Sequence, residues 1–562
     1  MLHAAKLLTW LCLGLMIFGG FKVTAWGRAI KIADLPAYSI LLVAMVSVGW
    51  KMNAKWAKEY LQFVRGLLAA ILRVDQSRKW LPASILLLLM LFGYFGAELA
   101  RHWSIQTDMY DMSYTHASLF FPWRDGHLLH SPLSPLQSFL VDHFCPSLMI
   151  PGLVFRHVHS SVLVQLFQAS LIVGGTALLV RFGPLQDRPR RAALAVVLIF
   201  CSRALFHSSV DFREDHLAFF FLCISLVGLH HANALTFFSG LLLYLGSKEH
   251  TPLLALGLIA PLATSARLSL QARYRWTLAT LLLIVAYGAL IYLWIIPALQ
   301  APVGQVVGQI NMRLPHLGRS LPEIFLSPLL KPTIFWPWIF ERFLSVSTLR
   351  YLALVLIPYA VFLKRAPIWV VAASLGILSN IIPERAEQRS IHWHYELAFA
   401  PFLVMGLLQG MRSMGRIRGW KWGVVVAIVL SLRWPAHGMM NFWPSLDSVR
   451  DSIALSRINC DEMILGANRK TIGQLAHCPQ IRWGLPEDCA DAGSTWNSIR
   501  SFAGNPQVPG ETLKDATHLA LDLTKTCDRN TFDWLLARGA DLDWSSPSGR
   551  FRIVRGLARL KP

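Results

Sequence analysis

The chain has 562 residues, of which 54% are hydrophobic and 15% charged, a composition that excludes an ordinary soluble enzyme of this length. Its 21 tryptophans and 31 phenylalanines fit a protein that uses lipid as solvent and places aromatic side chains at the membrane interfaces. The net charge of +21 comes from short basic runs between apolar stretches, which is typical of an oriented membrane protein and argues against nucleic acid as a partner.

Apolar stretches recur along most of the chain. A helix needs about 20 apolar residues to cross a bilayer, and fewer when it is buried in a bundle. The predicted spans, about thirteen in number, are 7–26, 36–50, 81–100, 160–182, 192–206, 217–231, 232–246, 251–264, 277–297, 347–363, 367–383, 397–411 and 420–434. The first is interpreted as a retained helix, because it lacks a clear small-x-small cleavage site, with a cleaved signal peptide as the alternative. The sequence therefore predicts an α-helical polytopic membrane protein.

Residues 53–79 combine helical spacing with high positive charge. Trp56, Tyr60, Phe63, Leu67 and Ile71 recur at intervals of three or four, with lysines and arginines between them. This pattern predicts a helix that lies in the membrane interface, held by anionic lipid, or a simple connecting helix.

Basic residues occur in alternate loops of the predicted topology. The clusters lie within 51–79, 188–191, 267–275, 364–365 and 412–421. Because cytoplasmic loops carry the excess of lysine and arginine, the alternation predicts a cytoplasmic amino terminus. Residues after 435 are then extracytoplasmic.

The carboxyl-terminal part is polar, with short apolar runs at 463–465, 519–523 and 551–554 and helix-like pieces at 471–476 and 532–538. It predicts a small α/β domain over 445–562, beside an amino-terminal region at 1–100 and a polytopic core at 101–434. Four cysteines in this tail allow two disulfides with three pairings: Cys460, Cys478, Cys489 and Cys527.

Ionisable residues gather in the loops on the face opposite the basic clusters. Charged groups at the ends of apolar helices are costly unless paired or hydrated, so a polar cavity at the outer interface is expected. The candidates are Asp108, Asp111, His143, Asp211, Arg213, Lys248, Glu249, His250, His394 and Tyr395.

Each candidate has a structural alternative. Asp108 and Asp111 are also suited to helix capping or to a hydrated loop. Lys248 and Glu249 are also suited to an ion pair with each other, and His143 to anchoring a re-entrant segment.

The motifs in these loops resemble the domain-of-unknown-function 2079 family of bacterial multi-pass membrane proteins, from about residue 100 to about residue 410. The motifs are Tyr110-Asp111, Asp142-His143-Phe144-Cys145-Pro146, Asp211-Phe212, Lys248-Glu249 and His394-Tyr395. The chain departs from the family pattern at Arg213, where a histidine is usual, and at His116-Ala117, where an Asp-Gln pair is usual.

The family is grouped with type C glycosyltransferases, so the resemblance implies a type C glycosyltransferase-like fold in a bacterial inner membrane. It also implies a polyprenyl-phosphate sugar donor alongside membrane lipid, and transfer to an acceptor hydroxyl at the outer face. In that superfamily an acidic residue of the first outer loop is the usual base, which points to Asp111, with Asp108 second.

On the same hypothesis the donor phosphate needs cationic partners. The candidates are Arg213, Lys248, His250 and His394. Asp211 and Glu249 either orient those cations or hold a divalent metal ion between carboxylate and phosphate. The competing hypotheses are a transporter or flippase, and a non-enzymatic membrane assembly protein.

Overall fold

The computed structural model describes the helical core and part of the carboxyl-terminal region. The described residues are 21–25, 28–32, 55–56, 59, 62, 79–105, 114–124, 126–131, 138–200, 202, 205, 213–301, 314, 316–318, 321–356, 359–383, 396–414, 444–458, 464–466, 475, 477–478, 481–483, 518–523, 529, 532–533, 535–537 and 539–555.

Helices dominate this part of the chain. They are α1 (Leu81–Trp103), α2 (Tyr114–Phe120), α3 (Phe139–Asp142), α4 (Met149–Phe155), α5 (Ser161–Phe182), α6 (Pro189–Phe200), α7 (Asp215–His230), α8 (Ala234–Leu245), α9 (Thr251–Ala255), α10 (Ile259–Thr264), α11 (Leu270–Leu290), α12 (Ile296–Gln300), α13 (Leu321–Leu330), α14 (Pro332–Leu344), α15 (Val346–Leu356), α16 (Ala360–Leu363), α17 (Ile368–Ile381), α18 (Ala400–Ser413) and α19 (Leu446–Leu455). A π-helical turn, Ile291–Ile295, joins α11 to α12, and 3₁₀ turns precede α4 and α10.

Within the described residues, three helices are long and apolar enough to cross a membrane: Leu81–Trp103, Ser161–Phe182 and Leu270–Leu299. Shorter apolar helices occupy the predicted spans within 217–264 and those at 347–363 and 367–383. The predicted spans 192–206 and 397–411 also contain helices, Pro189–Phe200 and Ala400–Ser413. α7 has 16 residues and so rises roughly 24 Å, less than a hydrocarbon core of about 30 Å. The predicted spans 36–50 and 420–434 lie outside the described residues.

The amino-terminal prediction is wrong at one point. Residues Phe21–Ala25, placed at the end of the first span, form strand β1, which pairs antiparallel with β2 (Arg28–Ile32). Here Lys22 and Thr24 alternate with apolar residues, and this period of two suits a strand. In the predicted interfacial helix 53–79, the described residues 55, 56, 59 and 62 are helical.

The predicted loop 298–346 is also more ordered than its prolines suggest. It contains α13 and α14. Pro332 is the first residue of α14, where a proline costs no hydrogen bond because that N–H has no partner within the helix. Proline therefore starts this helix instead of preventing it.

The bundle core is assembled around the α7–α8 hairpin. A Cβ at Gly228 would lie 2.3 Å from the backbone nitrogen of Phe237, and one at Gly240 would lie 2.6 Å from that of Ser225. Small residues let two helix backbones approach closely, which is how apolar helices associate in lipid. The Ser225 hydroxyl also donates to the Phe237 carbonyl at 2.7 Å.

One end of the bundle, here called the basic end, joins loops that are far apart in sequence. Arg188 donates to the carbonyl of Arg412 at 2.8 Å, and Arg191 donates to the carbonyls of Met411 and Met414 at 2.6 and 2.7 Å. The predicted grouping of these basic loops on one face is therefore present in the folded chain. The opposite end, where α5 and α7 begin and where α1 and α8 end, is called the site end.

After α2, a short antiparallel pair is formed by β3 (Trp123–Arg124) and β4 (His127–Leu128). The carboxyl-terminal strands form a five-stranded mixed sheet in the order β6-β5-β7-β9-β8. The strands are β5 (Ile464–Gly466), β6 (Ile481–Trp483), β7 (His518–Asp522), β8 (Asp541–Ser545) and β9 (Phe551–Arg555). Its small core includes Leu455 of α19, Phe551 and, from just beyond α1, the buried Ile105. The sheet therefore packs at the site end of the bundle. Cys478 is disulfide-bonded, while the domain boundaries remain a prediction.

We expect Gly228→Ala to lower the free energy of unfolding by about 1–3 kcal/mol, because the added methyl group meets the backbone of α8. The matched control is Gly96→Ala in α1, where a Cβ meets nothing within 4 Å. Alanine there should be neutral or stabilising by up to about 1 kcal/mol. Thermal unfolding in detergent, followed by tryptophan fluorescence, measures both, and equal midpoints for the two variants would contradict the close packing.

Candidate functional site

Lys248 lies at the centre of a buried ion cluster at the site end. Its Nζ is 2.7 Å from Glu214 Oε1 and donates to Asp215 Oδ2 at 2.6 Å. The side chain of Lys248 is 4% exposed, and both carboxylates are fully buried. A buried charge is tolerated only when it is paired in this way.

The hairpin geometry explains why these groups meet. Glu214 immediately precedes α7 and Asp215 is its first residue, whereas Lys248 follows α8. The connection between the two helices is short, and Asn233 caps α8 by accepting from the Thr236 amide at 3.0 Å. Because the helices are antiparallel neighbours, the end of α8 returns to the start of α7.

Glu249, which follows Lys248 in the sequence, forms a second pair with His143. His143 Nδ1 and Glu249 Oε1 are 3.2 Å apart, and the side chains are 14% and 19% exposed. His143 belongs to the first predicted outer loop and Glu249 to the turn after α8. The predicted convergence of these two segments is therefore present in the fold.

Backbone contacts hold the two segments together. The Ser147 amide donates to the Gly246 carbonyl at 2.9 Å, and the Ser147 hydroxyl donates to the Leu243 carbonyl at 2.8 Å. A Cβ at Gly246 would lie 2.7 Å from Ser147 Oγ, so only glycine permits this approach without a shift. Tyr292 of the π-helical turn donates to the Glu249 carbonyl at 2.8 Å.

Within the ion cluster, Glu214 and Lys248 stabilise each other's charged form. Burial alone would raise the pKa of Glu214, but the Lys248 charge outweighs it and holds that pKa well below its usual value. Burial would likewise lower the pKa of Lys248, and the carboxylates of Asp215 and Glu214 raise it instead. Lys248 is therefore a permanent cation whose nearest acceptors belong to the protein.

The His143–Glu249 pair is polarised in the same manner. Burial opposes the charge on His143, but the Glu249 carboxylate raises the His143 pKa above its ordinary value of 6.5. Burial also opposes the charge on Glu249, yet His143 lowers the Glu249 pKa from 4.5 to about 2. The Glu249 carboxylate therefore favours the protonated form of His143, in which the second ring nitrogen is available as a donor.

The remaining candidates divide by position. Arg213 and His250 are half-buried beside the ion cluster, Arg213 directly before Glu214 and His250 at the start of α9. Lys248 and Glu249 do not pair with each other but with separate partners. The other candidates lie outside the described residues: Asp108, Asp111, Asp211, His394 and Tyr395.

Sequence reasoning did not select Glu214 and Asp215 as candidates. Two adjacent acids at the start of an apolar helix are normally interpreted as capping residues, which gives no indication of a partner. The sequence signal for this pairing was Lys248, a lysine just after the next apolar helix.

A polar group on α1 was missed as well. Glu98 and His102 are buried one turn apart near the end of α1, although both lie in an apolar span. His116 of α2 lies near His102, and its Nδ1 is 3.2 Å from Ser161 Oγ. Burial, and then the His102 charge, lower the pKa of His116 to about 3, so this ring is neutral.

A metal ion was one of two roles considered for the acidic candidates. Among the residues that the structure describes, no group of three or more His, Cys, Asp or Glu side chains is arranged to hold one. The cluster carboxylates Glu214 and Asp215 instead pair with Lys248.

The family model described as "Predicted membrane protein (DUF2079)" matches residues 101–459. The chain belongs to this family. The match confirms the resemblance carried by the outer-loop motifs and includes every residue of the two ion clusters. No curated protein matches the chain.

Among solved structures, this DUF2079 protein is similar to ArnT from Cupriavidus metallidurans, in a crystal structure bound to undecaprenyl phosphate. The identity is 10% and the TM-score 0.44, over 85% of this chain and 99% of the other. A similarity of this degree does not assign a function.

We expect Lys248→Met to destabilise the protein by about 3–5 kcal/mol, because it leaves two carboxylates buried without a cation. The triple variant Lys248→Met, Glu214→Gln, Asp215→Asn should recover much of this loss. The control Lys364→Met removes an exposed lysine. Thermal unfolding compares the four proteins, and a Lys248→Met variant as stable as the control would show that the buried pairing is wrong.

The His143–Glu249 interaction should depend on pH. The stabilisation from charged His143 is complete below pH 6.5 and is lost as the pH rises through its raised pKa. The stabilisation from Glu249 is present above pH 4.5 and is lost as the pH falls towards about 2. The coupling between the two residues should therefore be largest between pH 4.5 and pH 6.5 and should weaken at alkaline pH.

A double-mutant cycle measures this coupling. It compares unfolding midpoints of the wild type, His143→Gln, Glu249→Gln and the double variant across the pH range. A coupling that is constant into the alkaline range would mean that the pair does not depend on the His143 charge.

Proposed function

We propose that this protein is a membrane glycosyltransferase. It transfers a sugar from a polyprenyl-phosphate donor to an acceptor hydroxyl at the outer face of the membrane, with inversion at the anomeric carbon. The observation that carries the proposal is the polarised His143–Glu249 pair, which is hydrogen-bonded through the Glu249 backbone to a helical turn with an exposed apolar surface.

Tyr292 supports this position of the pair. Its hydroxyl contacts the Glu249 backbone, while the next two residues of the same π-helical turn, Leu293 and Trp294, are 78% and 74% exposed. In a membrane protein such apolar exposure faces lipid. A substrate with a charged head and an apolar tail suits a site at this boundary.

The distribution of charge favours a site at one end of the bundle over a pathway through it. In the described long spans α1, α5 and α11, the ionisable residues lie in the first or last two turns. Transporters more often place such groups near mid-membrane, on broken helices. The transporter hypothesis is therefore less well supported.

His143 is suited to the donor phosphate. Its Nδ1 faces Glu249, whose carboxylate raises the His143 pKa and so favours the protonated ring, in which Nε2–H donates to an anion. Lys248, by contrast, is enclosed by Glu214 and Asp215. We therefore assign Lys248 a positioning role and leave phosphate binding to His143, with Arg213, His250, His394 and Tyr395 as further partners.

Glu249 is a poor general base. With its pKa lowered to about 2 by His143, it binds a proton too weakly to remove one from a hydroxyl at neutral pH. The base therefore remains Asp111, with Asp108 second. Asp211 orients the cations.

The reaction then balances as follows. The acceptor oxygen forms a bond to the anomeric carbon, and the bond between that carbon and the phosphate oxygen breaks. The electron pair leaves on the phosphate, where His143 stabilises the charge. The hydroxyl proton passes to Asp111.

The proposed location is a bacterial inner membrane, with a cytoplasmic amino terminus and an extracytoplasmic tail. The Cys478 disulfide supports an oxidising compartment for the sheet, which packs at the site end. The site would then face outward.

We expect Asp111→Asn to slow transfer by about 10²–10⁴-fold, because general-base catalysis contributes that much. The assay uses the purified protein in nanodiscs with a panel of radiolabelled polyprenyl-phosphate hexoses and pentoses. Release of polyprenyl phosphate is the readout, since water can replace the unidentified acceptor. The matched control, Asp187→Asn, removes an exposed carboxylate near the basic end and should keep the wild-type rate.

Three outcomes would oppose the proposal. An undiminished rate in Asp111→Asn would remove Asp111 as the base. Movement of intact donor across a vesicle membrane, without release of polyprenyl phosphate, would favour the flippase hypothesis. Donor binding without either process would favour the assembly protein.

A further inference from the structure

A surface cavity of about 410 Å³ lies at the site end, separate from the ion clusters. It is lined by Phe120, Phe121, Pro122, Trp123, Arg124, Arg156, His157 and His159. Its two walls are held together at Gly152 of α4, where a Cβ would lie 2.9 Å from Cβ of Pro122. The cavity is thus built from the end of α2 and the segment that joins α4 to α5.

Arg156 is fixed in this cavity by its neighbours. Its Nε donates to His157 Nε2 at 2.8 Å, and its carbonyl lies 3.1 Å from His159 Nε2. The His159 ring in turn packs against Phe120 and Phe121, with ring centroids 5.3 and 5.0 Å away. Within the described part of the chain, the two terminal amino groups of Arg156 make no hydrogen bond, so they present a fork to a ligand.

The charge of the cavity selects an anion. Arg124 and Arg156 are both cationic, and none of the eight described lining residues is acidic. A guanidinium fork matches the oxygens of a phosphate group through two parallel hydrogen bonds. A phosphate is therefore the chemistry that this cavity recognises.

The surface beside the cavity indicates where that phosphate comes from. Ile150, Leu153 and Val154 lie on one face of α4 and are 49%, 56% and 65% exposed. Val158 and Leu163 continue the apolar strip to the start of α5, each 43% exposed. Arg156 follows this face directly, so acyl chains along the strip would bring a headgroup to its fork.

We propose that this cavity binds the phosphate of an anionic phospholipid, whose acyl chains lie along the strip from Ile150 to Leu163. Trp123, which is 68% exposed at the rim, occupies the headgroup level where tryptophan is enriched. The lipid anchors the first outer loop to the membrane. This site does not depend on the proposed transfer reaction.

The test measures the affinity of the purified full-length protein for three probes by native mass spectrometry: phosphatidylglycerol, phosphatidylcholine and glycerol 3-phosphate. We expect phosphatidylglycerol to bind at least about tenfold more tightly than phosphatidylcholine, and Arg156→Ala to weaken it by about tenfold. Arg156→Lys keeps the charge but loses the fork, so its affinity should be intermediate. Since Arg156 is exposed, these variants should fold normally.

The control is Arg190→Ala, which removes an exposed arginine near the basic end and should bind phosphatidylglycerol like the wild type. Equal affinities of wild type and Arg156→Ala would overturn the proposal. So would an equal loss in Arg190→Ala, which would indicate a general charge effect. If glycerol 3-phosphate bound as tightly as phosphatidylglycerol, the ligand would be a soluble phosphate compound and not a lipid.

Discussion

The charge of Lys248 is almost completely shielded from water, and this constrains the whole site end of the bundle. An ammonium ion in an apolar interior is stable only when carboxylates replace its hydration shell, and here Glu214 and Asp215 do so at 2.7 and 2.6 Å. Those distances require the start of α7 to lie against the turn after α8. They therefore depend on the close backbone approach at Gly228 and Gly240. Packing and electrostatics in this region stabilise the same arrangement.

The Lys248 cluster and the His143–Glu249 pair differ in exposure. This difference distinguishes a cluster that supports the fold from a pair that can contact a substrate. Lys248, Glu214 and Asp215 pair with one another and are buried in the protein. His143 and Glu249 are also paired, but both side chains keep some contact with solvent. The rigid cluster holds the turn in place, and the turn presents Glu249 to His143. Lys248, which the sequence suggests as a phosphate-binding residue, thus acts mainly to hold Glu249 in position.

Both ends of the bundle join distant loops, by different means. At the basic end, guanidinium groups cap the carbonyls at the end of α18, as cations do at helix carboxyl termini. At the site end, carboxylates at the start of α7 pair with a lysine. The same polarity of the helix backbone favours acids at one terminus and bases at the other. Helix polarity therefore favours both of these contacts locally.

Sequence alone determined the membrane class, the long apolar helices and the meeting of the basic loops near residues 188 and 412, because hydropathy and loop charge are local properties. It also selected His143, Lys248 and Glu249, which lie in predicted outer loops. It could not pair them, since His143 and Glu249 are 106 residues apart and meet only through the contact of Ser147 with Gly246. Tertiary structure also gave Lys248 its partners, because identical charges at a helix end cap the helix or bind a cation according to what packs against them. The strand at Phe21–Ala25 and helix α14, which begins at Pro332, were also missed. Average hydropathy does not record the local residue patterns that form them.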